Sequence, residues 1–240
     1  MTNALKEVGL MFTPDNHAAI LSGIKTQTRR KLKFPKSRYE TDSLLSDDEW
    51  VERFILNHAQ HWVYGNPTKQ LISGYVKERY EILHIISESR DKQLVTVGYR
   101  ELPGYPATSA VCVCSYNTVA KLQARKNPTQ GGPMFMPKAL ARTWFAITDV
   151  KPQKLGSITP EDAVAEGIEL DPDVVVDNSE VERYSWAFSK TWRDYINGGY
   201  DLAPDQSFVT LWESIHGLGS WDAEQWVWTI SFDTVGCKTK

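Results

Sequence analysis

The chain has 240 residues, of which 24% are charged and 41% are hydrophobic, and its formal net charge is −3. These values are ordinary for a globular protein and argue against a general polyanion binder, so any nucleic-acid contact must be local. No apolar run approaches the ~18 residues of a membrane span and the N-terminus does not resemble a signal peptide, so we expect no membrane association and a cytoplasmic location.

The first part of the chain predicts a strand, a short helix and then a basic segment. The strand is predicted over residues 8–12. Thr13 can cap the helix, Pro14 suits its first position and Gly23 suits its end. The segment GIKTQTRRKLKFPKSR at 23–38 follows, with seven Lys or Arg residues and no acidic residue. It is the one segment basic enough to predict a nucleic-acid contact.

The rest of the chain mixes strands and helices. Alternating patterns and β-branched or aromatic composition predict strands over 73–85, 93–100, 109–116, 140–155 and 221–233. Cap signals predict helices that begin near Ser46, over 159–167 and over 207–217. The polar segment 123–133 predicts a mobile loop. With no internal repeat or linker, the pattern predicts a single α+β domain over 1–240.

The cysteines and histidines predict no metal site. Cys112 and Cys114 supply two thiolates, and His58 and His61 would share a helix face, but a closed zinc site takes four ligands. The odd count of three cysteines argues against a disulfide framework. We therefore expect neither a metal nor another cofactor.

Four separated segments carry a family resemblance. In order they are LSGIKTQTRR, YVKERYE, MPKALARTWFAITDVKPQKLGSITPEDAVAEGI and LWESIHGLGSWDAEQWVWTISF. Together they resemble the ASCH family of the PUA-like superfold, above all its larger members from bacteriophages and prophages. The most specific elements are G-x-K-T-x-T-R-R and EDAxAEGI. Residues 40–72, 86–132 and 169–206 match no family pattern and are interpreted as insertions.

The resemblance implies a small β-barrel with surrounding helices and a cleft on one side. PUA-like domains commonly bind RNA or modified bases. Some small ASCH proteins hydrolyse the acetyl amide of N4-acetylcytidine with a proposed set of Lys, Thr and Glu. On the matching motif positions, this set falls on Lys25, Thr28 and Glu166, and the following motif arginine falls on Arg30. TKQLISG replaces the Gly-Asp turn that the family often has, which predicts an altered loop beside the pocket.

The chemistry of amide hydrolysis suits these residue types, since it needs a nucleophile, a base and a proton donor. Lys25 could activate the Thr28 hydroxyl if burial or the cationic neighbours Arg29 and Arg30 lower its pKa. Glu166 is predicted at the C-terminal end of a short helix. The helix dipole disfavours a carboxylate there, and this favours the protonated form that a proton donor requires.

Local backbone geometry decides whether these groups can meet. Positions 25 and 28 of a regular strand face opposite sides, so the catalytic set requires a turn or bulge at 26–27. A straight strand would instead group Thr26, Thr28 and Arg30 on one face. Each candidate also has an ordinary interpretation, as exposed basic surface, as a strand residue or as a solvated helix end.

Further residues are candidates for binding a substrate or a nucleic acid. They are polar or charged and lie in the segments quoted above: Thr26, Arg29, Arg30, Lys31, Lys33, Glu78 and Arg142. Glu78 could line the cleft or pair with Arg79 or Arg30. Arg142 could contact phosphate or belong to a charged surface. Residues 31–38 could form a basic rim of the cleft or a solvated surface alone.

The sequence leaves four functions open. The most concrete is hydrolysis of N4-acetylcytidine by a nucleic-acid or modified-nucleobase-directed enzyme. The alternatives are a non-catalytic RNA or modified-base binding module, a ribonuclease and a phage interaction protein. RNA or a modified nucleoside is the expected partner, and the insertions could bind a protein, select a larger substrate or cap the cleft. If the chain is phage-encoded, the expected location is the host cytoplasm. The oligomeric state stays open.

Overall fold

The computed structural model describes residues 7–32, 46, 48, 49, 51, 72–87, 93–172 and 191–237. These residues form both strands and α-helices, so the predicted mixed α+β class is confirmed. The strands are β1 (Glu7–Met11), β2 (Gln27–Lys31), β3 (Ile72–Lys77), β4 (Tyr80–Ser87), β5 (Gln93–Tyr99), β6 (Thr108–Cys114), β7 (Gln130–Gly131), β8 (Thr143–Lys154), β9 (Trp192–Arg193), β10 (Tyr200–Leu202) and β11 (Trp226–Cys237). The helices are α1 (Pro14–Leu21), α2 (Tyr116–Gln123), α3 (Pro160–Ala165) and α4 (Pro204–His216).

The chain divides into two compact units. Unit 1 comprises Met1–Gly23, Gln70–Ile147 and Phe232–Lys240, and unit 2 comprises Ile24–Lys69 and Thr148–Ser231. Strands β8 and β11 each contribute residues to both units. In the part of the chain that the structure describes, no helix has the length and apolar character needed to cross a membrane.

Unit 1 contains two groups of paired strands. In one, β3 pairs in parallel with β1 and antiparallel with the start of β8. In the other, antiparallel strands follow the order β6-β5-β4-β7. Every second residue of β5 is buried, as expected for a strand with one face on the core. On that face, Val95 and Val97 share a hydrophobic cluster with Val119 and Leu122 of α2. The insertion predicted over 86–132 therefore builds most of this sheet.

Two local predictions in unit 1 differ from the structure. The strand predicted over 73–85 is broken between β3 and β4, where the Glu78 N–H donates to Met136 Sδ at 3.2 Å instead of to a neighbouring strand. The loop predicted over 123–133 contains β7, which pairs with β4. A Cβ on Gly131 would lie 2.1 Å from the Tyr80 ring, so this pairing needs a glycine.

Unit 2 combines strand pairs with two helices. Strand β2 pairs antiparallel with β11, which lies between β8 and β2 in the strand order. Helices α3 and α4 contribute Ala163, Phe208 and Trp212 to one hydrophobic cluster. Strands β9 and β10 form a separate two-stranded pair. This arrangement presents the residues of β2 beside those of α3.

The predicted helix boundaries follow local capping chemistry. Thr13 accepts a hydrogen bond from Asn16 N–H at the start of α1, and Thr159 accepts from Asp162 N–H at the start of α3. Ser46 N–H donates to Glu49 Oε2 at 2.9 Å, and Glu49 N–H donates to Ser46 Oγ at 3.3 Å. These reciprocal bonds form a capping box, as the helix signal near Ser46 predicts.

The described strands form open sheets. Among them, the first and last strands of the four-stranded and five-stranded sheets do not pair with each other, so neither sheet closes on itself. The small β-barrel that the resemblance implies is therefore not found within these residues. A barrel requires the first and last strands to pair, and here those strands remain edges.

Candidate functional site

Lys25 is buried immediately before β2. It is 2% exposed, and its Nζ donates to Glu166 Oε2 at 2.9 Å and to the Glu166 backbone carbonyl. The Thr26 N–H donates to the Ala165 carbonyl at 2.9 Å, which fixes this irregular stretch to the end of α3. Strand β2 begins only at Gln27, so Lys25 is outside the strand. The alternative of a straight strand through residue 25 is therefore wrong.

Glu166 ends helix α3 and is 3% exposed. Its two carboxylate oxygens have different partners. Oε2 accepts from Lys25 Nζ, and Oε1 accepts from Arg29 NH1 at 3.2 Å. The helix end predicted for this residue is confirmed, and the carboxylate is shared between a lysine and an arginine.

Arg29 lies in β2 and pairs with two carboxylates, one within α3 and one at its C-terminal cap. Its NH2 group donates to Asp162 Oδ2 at 2.7 Å, while NH1 donates to Gln27 Oε1 at 2.6 Å as well as to Glu166. The guanidinium carbon lies 5.8 Å from the centre of the Phe208 ring. Sequence reasoning missed Asp162 as a site residue. The available signal was its spacing of four from Glu166, which places both carboxylates on one helix face.

The Lys25 cluster, defined as Lys25, Arg29, Asp162 and Glu166, contains two basic and two acidic side chains. Burial lowers the pKa of Lys25, Glu166 opposes this shift, and Arg30 and Arg29 lower the pKa further. A lysine with a lowered pKa has a neutral amine at a lower pH than a free lysine has. The cluster therefore holds a candidate general base in contact with a carboxylate.

Thr28 is buried but is not part of this cluster. Gln27 and Arg29 both reach Asp162 of α3, so the alternation of side chains directs Thr28 to the other face of β2. Among the described residues, its hydroxyl forms no hydrogen bond with Lys25 or Glu166. The structure thus brings two of the three predicted catalytic residues together and does not place Thr28 in contact with them.

The remaining predicted residues of the basic segment have varied environments. Thr26 is exposed, and Arg30 is half-buried with a pKa lowered by burial. Lys31 Nζ lies 5.4 Å from the centre of the Trp212 ring, a cation–π contact. Lys33 lies outside the described residues, as do the other positions of the basic rim predicted after residue 32.

Glu78 and Arg142 form a buried ion pair in unit 1. Arg142 Nε donates to Glu78 Oε1 at 2.9 Å, and NH2 donates to Oε2 at 2.8 Å. The pairing of Glu78 with Arg79 or Arg30 is therefore wrong, and so is a surface position for Arg142, which is 3% exposed. The guanidinium and the carboxylate form two parallel hydrogen bonds with each other. These bonds offset the free-energy cost of removing both charges from water.

His17 extends this ion pair. Its Nε2 lies 2.8 Å from Thr143 Oγ1, and its Nδ1 lies 3.7 Å from Glu78 Oε2. Burial lowers the pKa of His17 to about 3, and the charge of Arg142 acts in the same direction. The imidazole is therefore neutral near pH 7. The sequence carried no signal for this contact, because His17 and Thr143 lie in different segments.

The comparisons with known proteins return nothing for this chain: no protein-family model, curated protein or solved structure matches it. Within the described ranges, no group of three or more His, Cys, Asp or Glu side chains is arranged to hold a metal ion. What the structure does show is a mixed α+β protein with a buried Lys–Glu–Arg–Asp cluster.

Proposed function

We propose that the chain is an ASCH-type protein of the PUA-like superfold that hydrolyses the acetyl amide of N4-acetylcytidine, as a nucleoside or within RNA. The observation that carries the proposal is the buried contact between Lys25 Nζ and Glu166 Oε2 at 2.9 Å. The two residues are 141 positions apart and come from the two most specific motif segments. A direct contact between these segments supports their assignment to one site.

The proposed mechanism begins with proton transfer to Lys25. The neutral form of Lys25, which its lowered pKa makes accessible at a lower pH than in a free lysine, takes a proton from the attacking hydroxyl group. The oxygen of that group bonds to the acetyl carbonyl carbon, and the bond between this carbon and N4 then breaks. The proton returns to N4 through the neighbouring Glu166 carboxylate. With water as the attacking group, the products are cytidine and acetate.

Two groups are candidates for the attacking hydroxyl of this mechanism. The family resemblance implies the Thr28 hydroxyl, which would first form an acetyl ester that water then hydrolyses. Thr28 forms no hydrogen bond with Lys25 among the described residues, which favours a water molecule instead. A Thr28→Ala variant distinguishes the two. Loss of turnover indicates a threonine nucleophile, and retained turnover indicates water.

The experiment that tests the activity uses the purified full chain and N4-acetylcytidine, with cytidine and acetate measured by chromatography. We expect both products in equal amounts. We expect Lys25→Met and Glu166→Gln to lower the rate by about 100-fold or more. Lys151→Met removes an exposed lysine of β8 and serves as the matched control with an unchanged rate. Absence of cytidine with the wild-type protein contradicts the proposal.

A second candidate function is non-catalytic binding of RNA or a modified base. The basic segment favours it, since Lys31 is half-buried and contacts the Trp212 ring without an ion pair to a carboxylate among the described residues. This candidate predicts that RNA affinity falls with salt concentration, because contacts to phosphate release counterions. Lys31→Gln would reduce that dependence, and RNA binding without turnover would favour this function over hydrolysis.

A further inference from the structure

Unit 1 contains a cavity of about 730 Å³ that the Lys25 cluster does not line. The cavity lies at the ends of β4, β5 and β6 and at β7, where Glu81, Gly98 and Ser109 lie side by side in the strand register. Its volume is within the range of small-molecule sites, roughly 300–1,000 Å³. Nothing proposed above for Lys25 and Glu166 uses these residues.

The charges around the cavity favour an anion. Arg79 and Arg100 line it, and both are exposed. Neither guanidinium pairs with a carboxylate in the part of the chain that the structure describes. Glu81 is the one acidic residue among the described lining residues, so the lining carries a net positive charge. Two arginines in a concave site are suited to binding a phosphate group.

One lining hydroxyl lies on the same face of the sheet as Glu81. Thr108 Oγ1 accepts from Arg142 NH1 at 2.6 Å, and Arg142 is itself fixed by its buried ion pair with Glu78, so Thr108 faces the core side of β6. Because side chains alternate along a strand, the next residue, Ser109, presents its exposed hydroxyl on the cavity side. A serine hydroxyl can donate a hydrogen bond to a ligand that is rich in acceptor oxygens.

An apolar surface lies beside the charged one. Leu83 is 54% exposed, and it stands over Gly98, where an added Cβ would lie 3.3 Å from the leucine Cδ1. The cavity therefore offers an apolar surface for a flat group, and its lining also contains the two arginines. A ligand with a phosphate at one end and a planar heterocycle at the other matches both surfaces.

We propose that this cavity binds a nucleoside 5′-monophosphate. The phosphate lies between Arg79 and Arg100, with Ser109 donating to it. The base packs on Leu83 and Gly98, and the Glu81 carboxylate accepts hydrogen bonds from the ribose hydroxyls. This site is independent of the proposed hydrolysis, because none of its residues belongs to the Lys25 cluster.

Calorimetric titration of the full chain with AMP, CMP, GMP and UMP tests the proposal. The matching nucleosides and inorganic phosphate are titrated in parallel. We expect at least one nucleotide to bind, with an affinity at least about tenfold higher than that of the matching nucleoside. Arg79→Gln and Arg100→Gln should each lower the nucleotide affinity about tenfold. Lys121→Gln, an exposed lysine of α2 that does not line the cavity, should leave binding unchanged.

Three results would overturn the nucleotide site. These are no binding of any nucleotide up to about 10 mM, inorganic phosphate binding as tightly as the nucleotides, or unchanged binding in both arginine variants. Nucleotide binding and N4-acetylcytidine hydrolysis are both measured on the wild-type chain, each with its own ligand. A failure of N4-acetylcytidine hydrolysis is therefore distinguishable from a failure of this site.

Discussion

Lys25 Nζ lies 2.9 Å from Glu166 Oε2, and neither residue is more than 3% exposed. A buried ion pair is weak evidence for stability, because the cost of removing two charges from water offsets their attraction. Removal of one partner alone is costly, since it leaves the other charge buried without a counter-charge. Measurements of stability and of activity therefore separate the structural role of this contact from its chemical role.

Glu166→Gln is predicted to destabilise the protein strongly. The variant leaves Lys25 and one side of Arg29 without a carboxylate, so the free energy of unfolding should fall by ~3–5 kcal/mol in urea titrations. Glu161→Gln removes an exposed carboxylate from the first turn of the same helix and should cost less than ~1 kcal/mol. Equal decreases in the free energy of unfolding of the two variants would contradict the buried network.

The rate of cytidine formation is predicted to rise with pH as Lys25 loses its proton. Because burial lowers the pKa of Lys25, this rise should be centred below the usual range of a lysine. The measurement is the pH dependence of the initial rate for the wild-type protein. A rate that falls across the same pH range would show that the neutral amine is not the base.

Stability is predicted to fall in acid because of His17. Its pKa is about 3 in the folded protein and 6.5 in the unfolded chain, so only the unfolded state takes up this proton between those values. The free energy of unfolding therefore decreases as the pH falls from 6.5 toward 3, by at most ~1.4 kcal/mol per pH unit.

Urea titrations from about pH 7 to about pH 4 measure this dependence. His17→Gln should flatten it, whereas His84→Gln, an exposed histidine of β4, should leave it unchanged. Equal slopes in the wild type and in His17→Gln would show that His17 does not set the acid sensitivity.

Gly74→Ala is predicted to destabilise unit 1. A Cβ at this position in β3 would lie 2.0 Å from the Phe145 ring, so the ring must move out of a packed core. Overpacking of this kind costs ~1–3 kcal/mol. Gly132→Ala is the matched control, because its Cβ would meet no atom within 4 Å. Thermal unfolding that ranks the two variants in the opposite order would contradict this packing.

The sequence predicted best those features that neighbouring residues decide. Thr13 and Thr159 cap their helices as predicted, because a cap depends on residues within one turn. The break between β3 and β4 was not predicted, because Glu78 there pairs with Arg142, 64 residues away. The open sheets were also missed, since strand alternation does not specify which edges pair.

The site was predicted only in part for the same reason. The motif resemblance placed Lys25 and Glu166 together, and the structure has them in contact. Alternation along β2 indicated in advance that Thr28 would be difficult to place with them. The partnership of Arg29 with Asp162 required knowledge that β2 lies beside α3, which no local pattern contains.

The most direct test of the central claim is the rate of N4-acetylcytidine hydrolysis by the wild type beside the double variant Lys25→Met/Glu166→Gln. The double variant removes one positive and one negative group, so the buried cluster keeps its charge balance and Arg29 keeps Asp162. We predict turnover by the wild type and none by a folded double variant. Absence of turnover by the wild type, or equal turnover by both proteins, would contradict the account.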